Sequence, residues 1–340
     1  NGTIEHLGGT DMAYAIDNLT NGGIGDVVLN IEGGNIISTY RAIRQFANSA
    51  TDLNYVKIVN GTINGQVWLQ SPTAGQNKAE LVIEGGSFKP MGRDGSSVYI
   101  TTASSKSVDV SVSGGYFATK IGVDNASNVG KVITGGTFSE AAVSGTNAAL
   151  LADGYTFDRH GNVVTEESLE LKGNGTLLNP YKISTVDELV YFRDSVNAGE
   201  TKYNADDVRI KLTADIDLAG EDWSVNIGDD CNATFDGIFD GNGHTISNLF
   251  SNATVKTGLF GSLIGSVKNV TFKDCELMTG TDKTGAGLIA GYAKNATIEN
   301  VTVNGLTITS SGYKADGANI GGLVGIAEDC IFKNNNITLN

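Results

Sequence analysis

A pair of small residues with an apolar residue on either side recurs through the first half of the chain and strongly constrains its fold. The pattern is an apolar residue, any residue, Gly-Gly or Asn-Gly, any residue and another apolar residue. Its small pairs begin at Gly33, Asn60, Gly85, Gly114 and Gly135. A sharp corner that returns about every 20 to 30 residues, with short apolar stretches between, predicts repeats that stack on their neighbours. We therefore expect a β-solenoid with loops of unequal length on one side.

The glycines at these corners have a steric explanation. Where corners stack directly on one another, a Cβ atom has no room, or the backbone needs a positive φ that glycine adopts without strain. Asparagine is among the residues that best tolerate positive φ. We therefore expect Asn60 to replace glycine at such a position.

Composition narrows the class of protein. The chain has 45 glycines but only 3 prolines in 340 residues, which excludes collagen and argues against a disordered linker. No run of about 18 apolar residues exists, so we predict no membrane insertion. The net charge of −15 excludes nucleic acid as a partner, since no basic stripe is present to neutralise phosphates. The three cysteines, Cys231, Cys275 and Cys330, are too far apart for a zinc motif and are expected to be buried.

The Gly-Gly pattern stops after residue 147, which indicates a domain boundary. The segment Asp158-Arg159-His160-Gly161-Asn162 is typical of a hairpin turn between Tyr155–Phe157 and Val163–Thr165. Such a hairpin would cover the open edge of the first solenoid. We predict an N-terminal module at 1–167, ending in this hairpin, and a C-terminal module at 168–340.

Two stretches have helical character. A short capping helix is predicted at about 184–198, with Ser184 as its N-cap, Asp187 at its third position and Gly199 after its end. An amphipathic helix at this point would cover the first repeat of the C-terminal module. A second helix is predicted at 11–19, with Thr10 as its cap.

The C-terminal module has its own repeat. A Gly-Leu segment begins at Gly258, Gly287 and Gly322, and each is followed by an apolar stretch that contains an asparagine. When the three repeats are aligned, these asparagines are Asn269, Asn300 and Asn334. Stacked side chains of the same type would form a ladder of amide hydrogen bonds from repeat to repeat.

These segments resemble a known group of proteins. The G-L-[VIF]-x-G and x-N-[VN] repeats resemble the GLUG-type repeats of bacterial cell-surface proteins, and the stretch from Phe235 to Ile246, FDGIFDGNGHTI, is similar to the segment that precedes such repeats. Both halves resemble the pectin-lyase-like right-handed parallel β-helix. The resemblance covers nearly the whole chain and implies an all-β fold of two such modules. The family contains polysaccharide lyases and hydrolases as well as adhesin-like surface proteins.

The catalytic motifs of that family are matched only in part. Its polygalacturonase-like hydrolases carry a two-aspartate motif, a Gly-His-Gly motif and an Arg-Ile-Lys motif in that order. The nearest matches here are Gly228-Asp229-Asp230, Gly243-His244-Thr245 and Arg209-Ile210-Lys211. The basic triplet comes first and the histidine lacks its following glycine. We therefore assign no catalytic residue.

Charged residues supply the binding candidates. Asp215 and Asp217 alternate with aliphatic residues and so share one face of a predicted strand, and Arg209 and Lys211 share a face of the strand before it. An outward polar face and salt bridging are the alternatives to ligand binding. No metal or other cofactor is assigned. Calcium is the alternative, with Asp229 and Asp230 as candidate ligands, because calcium requires several oxygens.

Aromatic side chains are the other candidates, because sugar rings stack on them. Trp223 is chosen because it follows two acidic residues, Glu221 and Asp222, and packing in the core or at a corner is the alternative. Trp68, Tyr99 and Tyr116 are scattered along the sequence and form no recognisable platform.

These observations predict a non-catalytic bacterial protein that is extracellular or on the cell surface. Its role would be adhesin-like, binding a glycan or a host or matrix surface protein, or it would act as a rigid stalk. We expect a monomer. The alternative is a carbohydrate-active enzyme of the same fold, a polysaccharide lyase or a glycoside hydrolase.

Overall fold

The computed structural model divides the chain into two compact units, a first unit at Asn1–Leu169 and a second unit at Glu170–Asn340. The described residues are 2–8, 14–21, 25–49, 51–72, 78–90, 95–103, 108–146, 148–229, 233–253, 256–279, 285–310 and 319–338. Most of them lie in β-strands, and the large sheets are built from parallel pairs. A predominantly β chain with parallel sheets is thus confirmed.

In the described part of the first unit the strands are β1 (Thr3–His6), β2 (Tyr14–Thr20), β3 (Val27–Ile31), β4 (Asn35–Ala47), β5 (Leu53–Ile58), β6 (Thr62–Ser71), β7 (Lys78–Ile83), β8 (Ser87–Lys89), β9 (Val98–Thr102), β10 (Val108–Phe117), β11 (Ile121–Val123), β12 (Ile133–Phe138), β13 (Tyr155–Phe157) and β14 (Val163–Thr165). The helices are α1 (Ala126–Val129), α2 (Glu140–Gly145) and α3 (Glu166–Leu169), with a 3₁₀ turn at Ala148–Leu150. Strands β1 to β12 form one sheet.

Buried side chains of the first unit stack in columns that follow the strand register. One column precedes the Gly-Gly corner and contains Ile31, Ile58, Ile83, Val112 and Ile133. Another follows the corner and contains Ile36, Ile63, Phe88, Phe117 and Phe138. Each residue pairs in parallel with its equivalent in the neighbouring repeat. The spacing of the Gly-Gly pattern therefore corresponds to real strand neighbours.

The three phenylalanines of the second column stack on one another. The ring centroids of Phe88 and Phe117 are 4.9 Å apart, and those of Phe117 and Phe138 are 4.6 Å apart. Phe157, in the predicted hairpin, packs edge-on against Phe138 with a centroid distance of 5.2 Å. The aromatic stack thus continues from the repeats into the hairpin.

The corner glycines are required by their surroundings. The second glycine of each pair has a positive φ, for example 99° at Gly86 and 102° at Gly115. The first glycine has a different constraint, because a Cβ atom on Gly114 would overlap with the carbonyl oxygen of Glu84 in the preceding repeat. The prediction that Asn60 adopts a positive φ is wrong, because the residue with positive φ at this corner is Gly61. The side chain of Asn60 instead accepts a hydrogen bond, from the Gly61 amide to Asn60 Oδ1 at 2.8 Å.

The hairpin lies at the predicted residues. Strands β13 and β14 pair antiparallel, with Tyr155 opposite Thr165 and Phe157 opposite Val163. The turn between them contacts β12, where the Phe138 amide donates to the Gly161 carbonyl at 2.7 Å. The hairpin therefore packs on the last strand of the parallel ladder.

The predicted helix at 11–19 is wrong where it can be checked. Residues 14–20 form β2, which pairs in parallel with β4. Residues 10–13 lie outside the described part. The stretch contains apolar residues at helical spacing, but pairing with β4 buries Asn18 and Thr20 as well, and a tertiary contact of this kind overrides a weak local preference.

In the described part of the second unit the strands are β15 (Tyr181–Ile183), β16 (Arg209–Leu212), β17 (Ile216–Asp217), β18 (Ile238–Asp240), β19 (Thr245–Ser247), β20 (Phe250–Ser251), β21 (Lys256–Thr257), β22 (Phe260–Leu263), β23 (Ser266–Thr279), β24 (Gly285–Ala286), β25 (Ala290–Lys294), β26 (Thr297–Ser310), β27 (Asn319–Ile320), β28 (Val324–Glu328), β29 (Ile331–Lys333) and β30 (Asn336–Thr338). A helix, α4 (Val186–Asn197), and a 3₁₀ turn at Thr201–Tyr203 precede most of them. All of the paired strands run parallel.

The predicted asparagine ladder is confirmed. Asn300 Nδ2 donates to Asn269 Oδ1 at 3.0 Å, and Asn334 Nδ2 donates to Asn300 Oδ1 at 3.3 Å. All three residues have φ between 52° and 56°, so the second unit uses asparagine where the first uses glycine. The ladder begins one repeat earlier than predicted, because Asn269 Nδ2 donates to Asp240 Oδ1 at 3.0 Å.

Glycines of the Gly-Leu repeats bring two sheets into backbone contact. Strands β21, β24 and β27 form one small sheet, and β22, β25 and β28 form another. A Cβ atom on Gly285 would overlap with the Gly291 carbonyl oxygen, and one on Gly325 would overlap with the Ala286 amide. Only residues without side chains permit this spacing, which explains the glycine just before one repeat, at Gly285, and the glycine that ends the next, at Gly325.

The predicted capping helix is present as α4, but its N-cap differs. Thr185 is the N-cap, and its hydroxyl accepts from the Glu188 amide at 3.2 Å while the Glu188 carboxylate accepts from the Thr185 amide at 3.1 Å. Ser184 instead donates its own amide and hydroxyl to Glu188. Phe192 is buried and packs edge-on against Phe235 at 5.5 Å, so the helix covers the apolar core of this unit.

Two of the three cysteines lie in the described part. Cys275 is buried, as predicted, and burial raises the pKa of its thiol to about 11. Cys330 is only partly buried. Both are free thiols, and Cys231 lies outside the described residues.

Candidate functional site

The two predicted aspartates flank strand β17, Asp215 just before it and Asp217 at its end, and both accept hydrogen bonds from neighbouring groups. Asp215 Oδ1 accepts from the Thr245 amide at 2.9 Å and lies 3.1 Å from His244 Nδ1. Asp217 Oδ1 accepts from Asn248 Nδ2 at 2.7 Å and from the Ala219 amide at 3.0 Å. These bonds hold the turns between strands in place, which is the polar-face alternative that the sequence left open.

Hydrogen bonds to the ionised form lower the pKa of both carboxyl groups. At Asp215 the main cause is the Thr245 amide, followed by His244, and at Asp217 it is the Asn248 amide group. A carboxyl group whose pKa is lowered by folding stabilises the folded state above its ordinary pKa. That contribution disappears as the pH falls through the lowered value.

Replacing Asp215 with asparagine tests this linkage. We expect the variant to be less stable than the wild type near neutral pH, and the difference to shrink as the pH falls from about 5 towards 2, where the wild-type carboxyl group takes up its proton. Thermal unfolding midpoints measured across this range provide the comparison. Asp109, which is exposed and accepts no hydrogen bond from any described residue, supplies the matched control, Asp109→Asn. A constant difference between wild type and D215N at every pH would contradict the expectation.

The predicted basic pair lies on the outward face of β16. Ile210 and Leu212 are fully buried, whereas Arg209 and Lys211 between them are half-buried on the opposite face. Salt bridging was the alternative to ligand binding, yet neither residue forms an ion pair with any residue that the structure describes. Arg209 Nε is also buried without a hydrogen-bond partner.

The strand register adds two further lysines to this pair. Lys211 pairs with Lys182 in β15, and Lys182 forms an antiparallel bridge with Lys172. We call Lys172, Lys182, Arg209 and Lys211 the basic row. Within the described chain none of the four has an acidic partner, and like charges side by side on a sheet repel one another.

An acidic residue limits the basic row on one side. The next position in register after Lys211 is Asp240, which lies 3.6 Å from Lys268 in the following strand and forms an ion pair with it. The row is therefore a local concentration of positive charge at the start of a sheet, in a chain whose net charge is −15.

Trp223 lies in the core of the second unit. Its exposed fraction is 1%, and its Nε1 donates to the Leu259 carbonyl at 3.2 Å. The Arg193 guanidinium lies over the ring, 4.9 Å from its centroid. A buried ring cannot stack on a sugar. Trp223 therefore packs in the core, which was the alternative to sugar binding.

Only one of the two calcium candidates, Asp229, lies in the described part of the chain. The Asp229 amide donates to Asn197 Oδ1 at 3.2 Å, and Asp230 lies outside the described residues. Among the residues that are described, no group of three or more histidine, cysteine, aspartate or glutamate side chains is close enough to hold a metal ion. A calcium site at Asp229 and Asp230 stays a prediction.

The three partial catalytic motifs do not come together in one sheet. Arg209 and Lys211 lie in β16, and His244 precedes β19 of the same ten-stranded sheet. Asp229 instead follows Ile227, which bridges to Phe260 in a separate three-stranded sheet. The structure brings His244 next to Asp215, a pairing that the motif comparison does not contain.

The first unit contains a groove that the sequence reasoning missed. It has a volume of about 720 Å³ and follows the Gly-Gly corner through four repeats. Gly34, Gly61 and Gly86 contribute its floor, and side chains at its wall belong to the strands that follow each corner. The groove exists because stacked glycines leave the corner without side chains. The Gly-Gly pairs, which the sequence analysis explained only by the sharp corners of the chain, were the feature from which the groove could have been predicted.

A second missed feature is an aromatic–arginine surface on the outward face of β2, β4 and β6. The Arg41 guanidinium lies 3.8 Å from the centroid of the Trp68 ring, and the Arg44 guanidinium lies 4.5 Å from that of Tyr14. Arg44 also binds Asp17 through two hydrogen bonds, at 2.8 and 2.6 Å. These contacts fix the side chains against the sheet and stabilise it. These residues are far apart in the sequence. Because the register between β4 and β6 shifts near Arg41, the spacing of the repeats alone does not align them.

No protein-family model matches the chain. It is 36% identical over 170 residues to halomucin of Haloquadratum walsbyi, an alignment that covers 46% of this chain and 2% of halomucin. A crystal structure of a candidate immunoglobulin A1 protease from Bacteroides ovatus has a TM-score of 0.35 and 22% identity, over 48% of this chain and 60% of that one. The chain thus spans only a small part of its curated relative, and the structural similarity is too low to carry an argument.

Proposed function

We propose that the protein is a non-catalytic, extracellular or cell-surface protein that binds acidic glycans through the basic row. We further propose that each unit is a right-handed parallel β-helix, with the modules meeting near residues 167 and 168. Parallel pairing between successive repeats supports the β-helix. In the first unit this pairing links β3, β5, β7, β10 and β12.

The proposed location is supported by the relationship to halomucin, whose name indicates a mucin-like protein. Among the residues that the structure describes, no helix combines the length and apolar character needed to cross a membrane. An adhesin-like role is compatible with an extended surface built from repeats, since repeat proteins commonly bind partners along such surfaces.

The basic row carries the proposal of glycan binding. Lys172, Lys182 and Lys211 lie side by side in register, and Arg209 lies on the same face of β16 as Lys211. Within the described residues none of the four has an acidic partner, in a chain whose net charge is −15. Strands are about 4.8 Å apart, so the row presents positive charge at intervals close to the length of one sugar ring in an extended chain. A polymer with one carboxylate or sulfate per sugar would pair with successive residues. Arginine would add planar hydrogen bonding to a carboxylate.

Binding to polygalacturonate and to heparin, measured with the full chain by calorimetry or by retention on immobilised polymer, tests the proposal. We expect Lys211→Glu to weaken binding at least tenfold, because it replaces an attraction of about 1 kcal/mol or more by repulsion. The matched control is Lys273→Glu, an exposed lysine of the same unit beside Asp274. Binding should also weaken as salt is raised, since exposed charges are screened.

Two results would overturn this function. Failure of the wild-type chain to bind either acidic polymer at low salt would remove the ligand class. Release of reducing sugars or unsaturated products from polygalacturonate, with or without calcium, would favour the enzyme alternative instead.

A further inference from the structure

The groove along the Gly-Gly corner of the first unit, here called the corner groove, is separate from the proposed acidic-glycan site, which lies in the second unit. Its floor is bare backbone at Gly34, Gly61 and Gly86. All three have a positive φ, and a Cβ atom on Gly34 would lie only 2.7 Å from the carbonyl oxygen of Gly2 in the preceding repeat. Its volume of about 720 Å³ is within the range of small-ligand sites. Because the floor has no side chains, a ligand can approach the backbone closely along the whole corner.

In each of the four repeats, the strand after the corner contributes one polar side chain to the lining of the groove. Thr3 pairs with Asn35, Asn35 with Thr62, and Thr62 with Ser87, so the four form a single column across β1, β4, β6 and β8. None of their side chains forms a hydrogen bond with another residue that the structure describes. The column therefore offers hydroxyl and amide groups at intervals of about 4.8 Å.

Charge distinguishes the groove from the basic row. Glu32 is the only charged residue among the described residues that line it, and it is exposed. A polyanion would be repelled here, whereas hydroxyl and amide groups bind neutral hydroxyl-rich ligands through hydrogen bonds in both directions.

The backbone of the corner argues against a peptide ligand. The amides of Asn35, Thr62 and Ser87 already donate to the carbonyls of Gly2, Gly34 and Gly61, at 2.8 to 2.9 Å. An extended peptide that adds to a sheet needs free backbone groups along an edge, and this corner runs across the strands instead. A sugar chain needs only side-chain hydroxyl and amide partners.

We infer that the corner groove binds a linear neutral glycan that lies across the strands, with one sugar for each repeat. The inference extends the proposed glycan binding to a second site and a second ligand class. The first and fourth strands of the column are about 14 Å apart. A chain of about four sugars therefore fills the groove.

Calorimetry of the full chain with cello-oligosaccharides and xylo-oligosaccharides, from the disaccharide to the hexasaccharide, tests this inference. We expect affinity to rise with length up to the tetrasaccharide and then to level off, with little dependence on salt. Thr62→Val and Ser87→Ala each remove one hydroxyl at nearly constant shape, and each should weaken tetrasaccharide binding about fivefold, the effect of one neutral hydrogen bond. The control is Thr271→Val, a half-buried threonine on an outward column of the second unit.

The outcomes separate this inference from the proposed function. If neutral oligosaccharides fail to bind while polygalacturonate binds, the groove inference is overturned and the proposed function stands. Neutral binding that T62V and S87A leave unchanged would also overturn it, because the ligand would then lie elsewhere. Neutral binding lost in these variants, together with unchanged binding of acidic polymers, supports two separate sites.

Discussion

Replacing Phe117 with alanine is expected to destabilise the first unit by about 4 kcal/mol, the largest effect that we expect from a single substitution. The ring is fully buried and stacked on both sides, against Phe88 at 4.9 Å and Phe138 at 4.6 Å. Its loss would leave a cavity in the middle of the aromatic stack and would remove both ring contacts. Equilibrium denaturation with urea measures the change.

The chain offers a sharp readout and a matched control. Its two tryptophans lie one in each unit, so a Trp223→Phe background leaves Trp68 as the fluorescence reporter of the first unit. Tyr116 precedes Phe117 in the same strand but is 40% exposed on the outward face. Tyr116→Ala should cost less than about 1 kcal/mol. Equal losses for the two variants would show that the stack does not hold the unit together.

Replacing Gly114 with alanine is expected to destabilise the first unit by about 3 kcal/mol, although it adds a single methyl group. The new Cβ atom would overlap with the carbonyl oxygen of Glu84, and that carbonyl is fixed in the backbone of the preceding repeat. The two repeats would have to move apart at the corner, and this would weaken the parallel hydrogen bonds between β7 and β10.

Gly145→Ala is the control for this substitution. There the new Cβ atom would meet no backbone atom, and its nearest contact would be the Lys120 Cβ at 3.1 Å, which a shift of a few tenths of an ångström relieves. We expect a change within about 0.5 kcal/mol, as is usual away from the core. A G114A variant as stable as G145A would mean that the glycine corners are not closely packed.

Local patterns were sufficient to predict several elements. The Gly-Gly corners, the hairpin of β13 and β14 and the asparagine ladder depend on residues whose conformational preferences act within a few positions. The capping helix was also predictable, but its N-cap was misplaced by one residue. Ser184 and Thr185 are both good caps, and only the position of Glu188 at N3 decides for Thr185.

The candidate sites depend on register, which short-range patterns do not encode. Lys172, Lys182 and Lys211 become neighbours only because an isolated bridge and a parallel pair align them. Burial of Trp223 likewise depends on how the segment after β17 returns to contact Leu259. The backbone contact between the two small sheets of the second unit was missed for the same reason, since it depends on how the Gly-Leu segments pack on one another.

The asparagine ladder has a direction. Each amide nitrogen donates to the residue one repeat earlier, from Asn334 to Asn300 to Asn269, and the series ends on the Asp240 carboxylate. A carboxylate accepts hydrogen bonds but does not donate them, so aspartate suits the first position of the ladder. At any later position an aspartate would break the series, because it could not donate to the residue before it. The ladder is therefore polar. A repeat added or exchanged after Asp240 must supply an asparagine that both receives and passes on a hydrogen bond, which restricts how this half of the chain can lengthen by duplication.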